Sequence, residues 1–199
     1  GGRYLLEMNV RHDGSSRMPK AHRYATFPSF SGAWIMTNEK FMENVKFLHS
    51  LKLRGSWGKL GNQEIGYYPF AQYIGLGNNY VWGDNKTQGV AISSLANPDI
   101  KWETTATTDV GIDAAFLNNK ITLTADYFYK KTSDILLQLP IPGIVGISTE
   151  PYVNAASVKN EGWEFALGYN DQWGDWTFGA NVNFSKVKNE ILDLHGKDS

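Results

Sequence analysis

Cysteine is absent from this chain. That removes any disulfide framework and any thiolate metal site, but it leaves the compartment open. Nor is there a run of about 18 apolar residues, so the sequence holds no transmembrane helix. There is no basic stripe. Lysine and arginine total 19 against 20 acidic residues, a net charge of −1, which argues against a nucleic-acid partner. No signal peptide opens the chain. It begins Gly1-Gly2-Arg3-Tyr4, runs straight into a strand pattern and ends just after another. The expectation is a piece cut from a longer protein, so a missing leader carries no meaning.

What remains is ordinary in bulk and unusual in its aromatics. With 199 residues there is room for one domain, and a hydrophobic content of 42% with 20% charge does not describe a disordered chain. Aromatics reach 14%, including seven Trp and ten Tyr. Both residue types join an apolar body to a polar tip, which suits a surface that is part greasy and part wet.

The dominant signal is period two. Over residues 4–11, Tyr4, Leu6, Met8 and Val10 alternate with polar neighbours. Over 51–58, Leu51, Leu53, Gly55 and Trp57 oppose Lys52, Arg54 and Ser56. Residues 121–130 set Ile121, Leu123, Ala125, Tyr127 and Tyr129 against Thr122, Thr124, Asp126 and Lys130. Residues 176–185 place Trp176, Phe178, Ala180, Val182 and Phe184 on one side. Side chains alternate faces along a strand, so each stretch predicts a strand with one apolar and one polar face. Weaker strands are expected near 27–36, with Phe30, Gly32, Trp34 and Met36 apolar, near 102–116 and near 161–170.

The connections alternate in length. Gly174-Asp175 predicts a two-residue hairpin turn, and Leu117-Asn118-Asn119-Lys120 another tight turn. Long links are expected at about 12–26, 61–101 and 132–160. A short helix is plausible at 38–48, with Phe41, Val45 and Leu48 on one face and Asn38 as its cap. Short turns at one end and long loops at the other are the layout of an outer-membrane barrel. A soluble β-sandwich alternates in the same way. Aromatics tilt the balance. Trp34, Phe116 and Trp176 stand beside short links, while Trp57, Trp102, Tyr129, Trp163 and Phe184 stand towards long ones. Two aromatic bands around an aliphatic one match the two interfaces of a membrane. The clean strands, about 8–10 residues long, are close to the ~9–11 that a tilted strand needs to cross a bilayer.

Several runs along these strands carry a more specific signal. They include Asp13-Gly14-Ser15-Ser16-Arg17, Phe27-Pro28-Ser29 with Trp34, and Leu51-Lys52-Leu53-Arg54-Gly55-Ser56-Trp57-Gly58 continuing to Leu60-Gly61-Asn62-Gln63. Then come Asn97-Pro98-Asp99-Ile100-Lys101-Trp102-Glu103, Asp126-Tyr127-Phe128-Tyr129, Thr132-Ser133-Asp134-Ile135-Leu136 and Asn160-Glu161-Gly162-Trp163-Glu164. As a set, in this order and spacing, they resemble the SusC/RagA class of TonB-linked outer-membrane transporters. Ala156 departs from the Gly that the family tends to place before Val158-Lys159-Asn160. No plug domain, TonB-interacting segment or closing strand is evident, so the resemblance places residues 1–199 in the later part of the barrel.

The resemblance implies an all-β, antiparallel transmembrane barrel. This chain would supply about seven of about 22 strands, with short periplasmic turns and long extracellular loops. It also implies an amino-terminal plug driven through the TonB complex, a SusD-like surface lipoprotein, and oligosaccharide or peptide substrates imported across the bacterial outer membrane. The alternative is a soluble or surface β-domain that binds carbohydrate or adheres without transport.

No catalytic constellation is present, and no cofactor is implied. Gly14-Ser15-Ser16 fails the nucleophile-elbow pattern, and Gly55-Ser56-Trp57-Gly58-Lys59 lacks phosphate-loop spacing. The histidines His12, His22, His49 and His195 are scattered, although His12 and His22 fall in one expected loop. The charges in mid-strand, Arg54, Asp109, Asp113, Asp126 and Glu164, are expected to face a water-filled lumen. In the longest loop Tyr80 and Trp82 stand near Asp84 and Asn85. Aromatic faces beside amides and carboxylates suit a sugar, through stacking plus directed hydrogen bonds.

Overall fold

The computed structural model describes residues 2–147 and 149–194. Seven long strands form one antiparallel sheet: β1 (Tyr4–Gly14), β2 (Tyr24–Ile35), β3 (Leu48–Asn62), β8 (Glu103–Phe116), β9 (Ile121–Gln138), β10 (Tyr152–Trp173) and β11 (Trp176–Leu194). They pair in that order. The other four strands, β4 (Ile74–Leu76), β5 (Tyr80–Trp82), β6 (Asn85–Thr87) and β7 (Val90–Ile92), make two small ladders within the longest link. The sheet is not closed among the described residues: β1 and β11 stand at its two ends.

Register keeps the two faces distinct across the whole sheet. One cross-strand row runs Tyr4, Trp34, Leu53, Ile112, Ala125, Phe165, Phe184. Its neighbour, one residue over, runs Leu5, Ala33, Arg54, Gly111, Asp126, Glu164, Ser185. A slip of one residue at any pair would mix these faces. No second layer among the described residues covers the apolar face, where Leu6 is 86% exposed and Trp176 81%.

The hairpin ends are staggered. The β1–β2 pair ends in the row of Tyr4 and Trp34, whereas β10 runs eight residues past that row, from Phe165 to Trp173. Such a progressive shift is the shear that a tilted, closing sheet requires.

The tight turns lie where the sequence predicts them. Trp173 pairs with Trp176 around Gly174, which takes φ +61°. Leu117, Asn118 and Asn119 all adopt positive φ between Phe116 and Ile121.

Other expectations are corrected. The strands of the main sheet are longer than 8–10 residues, and the link expected at 132–160 shrinks to 139–151. Irregularities hide the missing parts from a period-two reading. Asp134 takes φ +57°, and register shifts fall between Asn154, Ala156 and Val158. Each shift moves the alternation to the other face. Ala156, the departure from the family pattern, sits between two of these shifts and is buried. The segment 38–48 forms no α-helix. It holds two 3-10 turns, Met36–Asn38 and Lys40–Met42, after which Leu48 already begins β3. Met36 falls in the first of these turns rather than on β2. Asn38 caps nothing; its amide donates to the Gly2 carbonyl. The link 15–23 is also shorter than the link 36–47 at the opposite end.

Candidate functional site

On the polar face, Arg54 is the centre of an ion-pair network. Its Nε lies 3.2 Å from Asp113 Oδ2, its Nη1 3.1 Å from Asp109 Oδ1 and its Nη2 2.6 Å from Asp126 Oδ1. Lys52 Nζ approaches Asp113 Oδ2 at 2.9 Å, and the Thr124 hydroxyl donates to Asp113 Oδ1. Register explains the convergence. Arg54 stands opposite Gly111, so Asp109 and Asp113 flank it on the same face at two residues either side. Gly111 in turn stands opposite Asp126. Two cations here meet three carboxylates, and all are partly exposed, as suits a wet surface.

Glu164 shares this face opposite Asp126, yet makes none of these pairs. It lines an open groove of about 320 Å³ with Thr124, Asp126, Asn183 and Ser185. The five charges singled out from the sequence are thus brought to one face, and four of them join one network. The sequence reading does not single out Lys52, Thr124 or Gly111. Lys52 was within reach of that reading, being two residues from Arg54.

The longest link has a fixed base and a projecting arm. At its base Met18, Phe27, Ile65, Ile100 and Trp102 form a buried cluster. The Trp102 indole donates to the His22 carbonyl, the Arg17 guanidinium to the Ile65 carbonyl, and the Asn97 amide to the Tyr152 carbonyl. Trp102 was expected in an outer aromatic band. It lies instead in this cluster, 8% exposed, because packing and its indole N–H are both satisfied there.

Beyond the base, Trp82 pairs with Asn85 around Gly83, which takes φ +61°, and Asp84. All four residues nominated as ligand-binding therefore sit on one small hairpin. Tyr80 and Trp82 share a face and are 52% and 77% exposed.

His12 is not in a loop. It lies on β1, where Nδ1 is 2.9 Å from Thr26 Oγ1 and the ring stacks on Tyr24. His22 lies in a 3-10 turn, His49 on β3, and His195 outside the described residues.

At the short-turn end, Glu39 gathers three donors. Tyr4 and Trp34 donate to its Oε1 at 2.9 and 3.1 Å, and Arg3 lies 3.5 Å from Oε2. The Tyr4 hydrogen bond, then that of Trp34, holds the Glu39 carboxyl below its ordinary range.

A sheet of this order, stagger and two-faced register has close counterparts. The model of a family described as TonB dependent receptor-like, beta-barrel matches residues 1–198. TonB-dependent receptor P26 of Formosa agariphila is 36% identical over 197 residues, which is 98% of this chain and 20% of that protein. TonB-dependent receptor SusC of Bacteroides thetaiotaomicron is 35% identical over 201 residues, again 98% and 20%. Structures of the RagAB peptide transporter, and of the RagAB peptide importer in its open-open state, match with a TM-score of 0.86 at 32% and 33% identity. Each covers 98% of this chain and 21% of its own. The chain spans about one fifth of the length of these relatives. It belongs to the TonB-dependent receptor-like β-barrel family.

Proposed function

We propose that this chain is a stretch of the wall of a TonB-dependent transporter in a bacterial outer membrane. The whole barrel would import nutrients too large for porins, either oligosaccharides or peptides, with a SusD-like lipoprotein partner. TonB would act through a plug supplied by other parts of the protein.

One observation carries the reading. In the middle of the apolar face, the row Trp34, Leu53, Ile112, Ala125, Phe165, Phe184 and the next row towards the short turns, Leu51, Ala114, Leu123, Leu167, Val182, hold no ionisable side chain, and no second layer among the described residues packs on them. Water would penalise such a face and lipid would reward it. In this reading Arg54, Asp109, Asp113, Asp126 and Glu164 face the lumen. The links 63–102 and 139–151 open outside the cell. The hairpin of Tyr80, Trp82, Asp84 and Asn85 offers two rings and two polar groups to substrate.

Labelling tests the orientation. This stretch has no native cysteine, so an Asn85→Cys variant of the full transporter can be treated with an impermeant maleimide on intact cells. Labelling from outside is expected. Labelling only after the outer membrane is breached would invert the topology. A second experiment addresses the soluble alternative. The isolated chain in plain buffer should associate or stay unfolded, because two strand edges and an apolar face are left open. A monomer that melts cooperatively would overturn the membrane reading.

A further inference from the structure

At the loop-side end of the apolar face, the residue type changes abruptly. Two residues beyond Trp57 stands Lys59, two beyond Tyr129 stands Lys131, and two beyond Phe184 stands Lys186, followed by Lys188. Alternation keeps each lysine on the face of its aromatic. Register gathers them: Lys59 and Lys131 both stand opposite Ala106, and Lys131 also stands opposite Lys159. Lys186 stands opposite Trp163, and Lys188 opposite Glu161.

These five lysines meet two carboxylates, Glu161 and Glu190. Lys159 takes both, at 3.5 and 3.0 Å, and Lys188 shares Glu190 at 3.2 Å. Lys131 and Lys186 have no ion-pair partner among the described residues. Lys59 lies over the Trp57 ring, 5.9 Å from its centroid. Like charges directly opposite each other, as Lys131 and Lys159 are, repel. Among the described residues the belt therefore holds more cations than anions. The excess is one-ended. At the short-turn end Asp171 is matched by Lys120 at 2.6 Å.

We propose that Lys59, Lys131, Lys186 and Lys188 bind phosphate head groups of lipids in the outer leaflet, on the loop side. The inference rests on the membrane reading above. The aromatic row would mark the edge of the hydrocarbon. A lysine two residues higher buries its stem along that edge and lifts its ammonium to the level of the head groups. A compact ammonium with three donors suits a phosphate monoester approached from one side.

The test uses the full-length transporter in neutral phosphatidylcholine vesicles containing a minority of spin-labelled phosphatidic acid. The fraction of label immobilised on the protein is compared with that of spin-labelled phosphatidylcholine. A preference for phosphatidic acid is expected in the natural protein. Lys131→Gln should lower it roughly fivefold, as one lysine near an anionic surface predicts. The four-fold Lys→Gln variant should abolish it, and the four-fold Lys→Arg variant should keep it. Millimolar inorganic phosphate should displace little of the lipid. An unchanged preference in the Gln variant, or full displacement by free phosphate, would overturn the proposal. A nitroxide at Leu53→Cys keeps this outcome separate from the membrane reading. If it is reached by oxygen but not by an aqueous nickel complex, the apolar face is in lipid, and a failure of the lysine variants sinks the belt alone. If the nickel complex reaches it, the membrane reading fails as well.

Discussion

The Arg54 guanidinium reaches across a whole strand to meet Asp126. Arg54 is on β3, Asp126 on β9, and β8 lies between them, yet Nη2 is 2.6 Å from Oδ1. Gly111 makes room. A Cβ there would fall 2.0 Å from Asp126 Oδ1 and 2.8 Å from Arg54 Cζ. Gly111→Ala should therefore force the pair apart and destabilise the barrel by about 1–2 kcal/mol. Gly55 provides the control. Its nearest neighbour would be the Asp109 carbonyl at 3.8 Å, so Gly55→Ala should stay within about 0.5 kcal/mol. Denaturant unfolding of the full barrel in detergent measures both, and equal costs would mean that Gly111 is not the pass-through for Arg54.

Leu53 and Ser56 lie on opposite faces of β3. If the apolar face meets lipid, Leu53→Arg should cost roughly 2–4 kcal/mol near the midplane. Ser56→Arg should cost far less, since its neighbours across the sheet are Ser31 and Asp109. Unfolding in lipid vesicles separates them. Matching costs would mean that the faces are exchanged.

Glu39 links stability at the short-turn end to pH. Its folded carboxyl titrates below the ordinary value, so its ionised form is the one that the fold favours. The resulting stabilisation is complete above the ordinary carboxylate range and fades as pH falls through the lowered folded value. Acidification should therefore loosen the Tyr4–Trp34 corner in the natural protein. In Glu39→Gln that acid step should be missing. A pH titration of Trp34 fluorescence, with the other tryptophans replaced, reads it directly.

Trp102 anchors the base of the longest link. Trp102→Ala removes a large buried ring and should cost about 3–5 kcal/mol locally. Trp102→Phe keeps most of the packing and loses the hydrogen bond to His22, about 1 kcal/mol. Limited proteolysis within residues 63–101 should be fastest in the Ala variant and intermediate in the Phe variant. Unchanged cleavage in both would show that the cluster does not hold the loop.

Tyr80→Ala with Trp82→Ala should weaken uptake while the amount of folded barrel stays the same. Both rings are exposed on the arm, so their loss removes no buried packing. Normal uptake by the double variant would make the hairpin a cover, with substrate held elsewhere.

Much of the architecture was legible in the alternation. Leu53, Ile112 and Phe165 face one way because neighbours on a strand cannot face the same way, and Gly174-Asp175 turns the chain tightly because glycine takes positive φ without steric cost. The family runs added the identity. Strand ends were not legible. At Asp134 and at Ala156 an extra residue reverses the faces, and a period-two reading stops there. The 38–48 segment misled for a related reason. Phe41 and Val45 mimic a helical spacing, but Trp34 at the end of β2 packs edge-on against Phe41 and donates to Glu39, which lies between two 3-10 turns.

The sequence by itself determined which side chains share a strand face, because that follows from local stereochemistry. Only the tertiary structure decided which strands lie side by side and with what shift. Asp109 and Asp113 are two of several mid-strand charges in the sequence until β3 sets Arg54 between them. Trp102 reads as a membrane-edge aromatic until residues 18, 27 and 65 close around it. Partners so far apart in the chain leave no local trace, since it is register and shear, properties of the whole sheet, that bring them together.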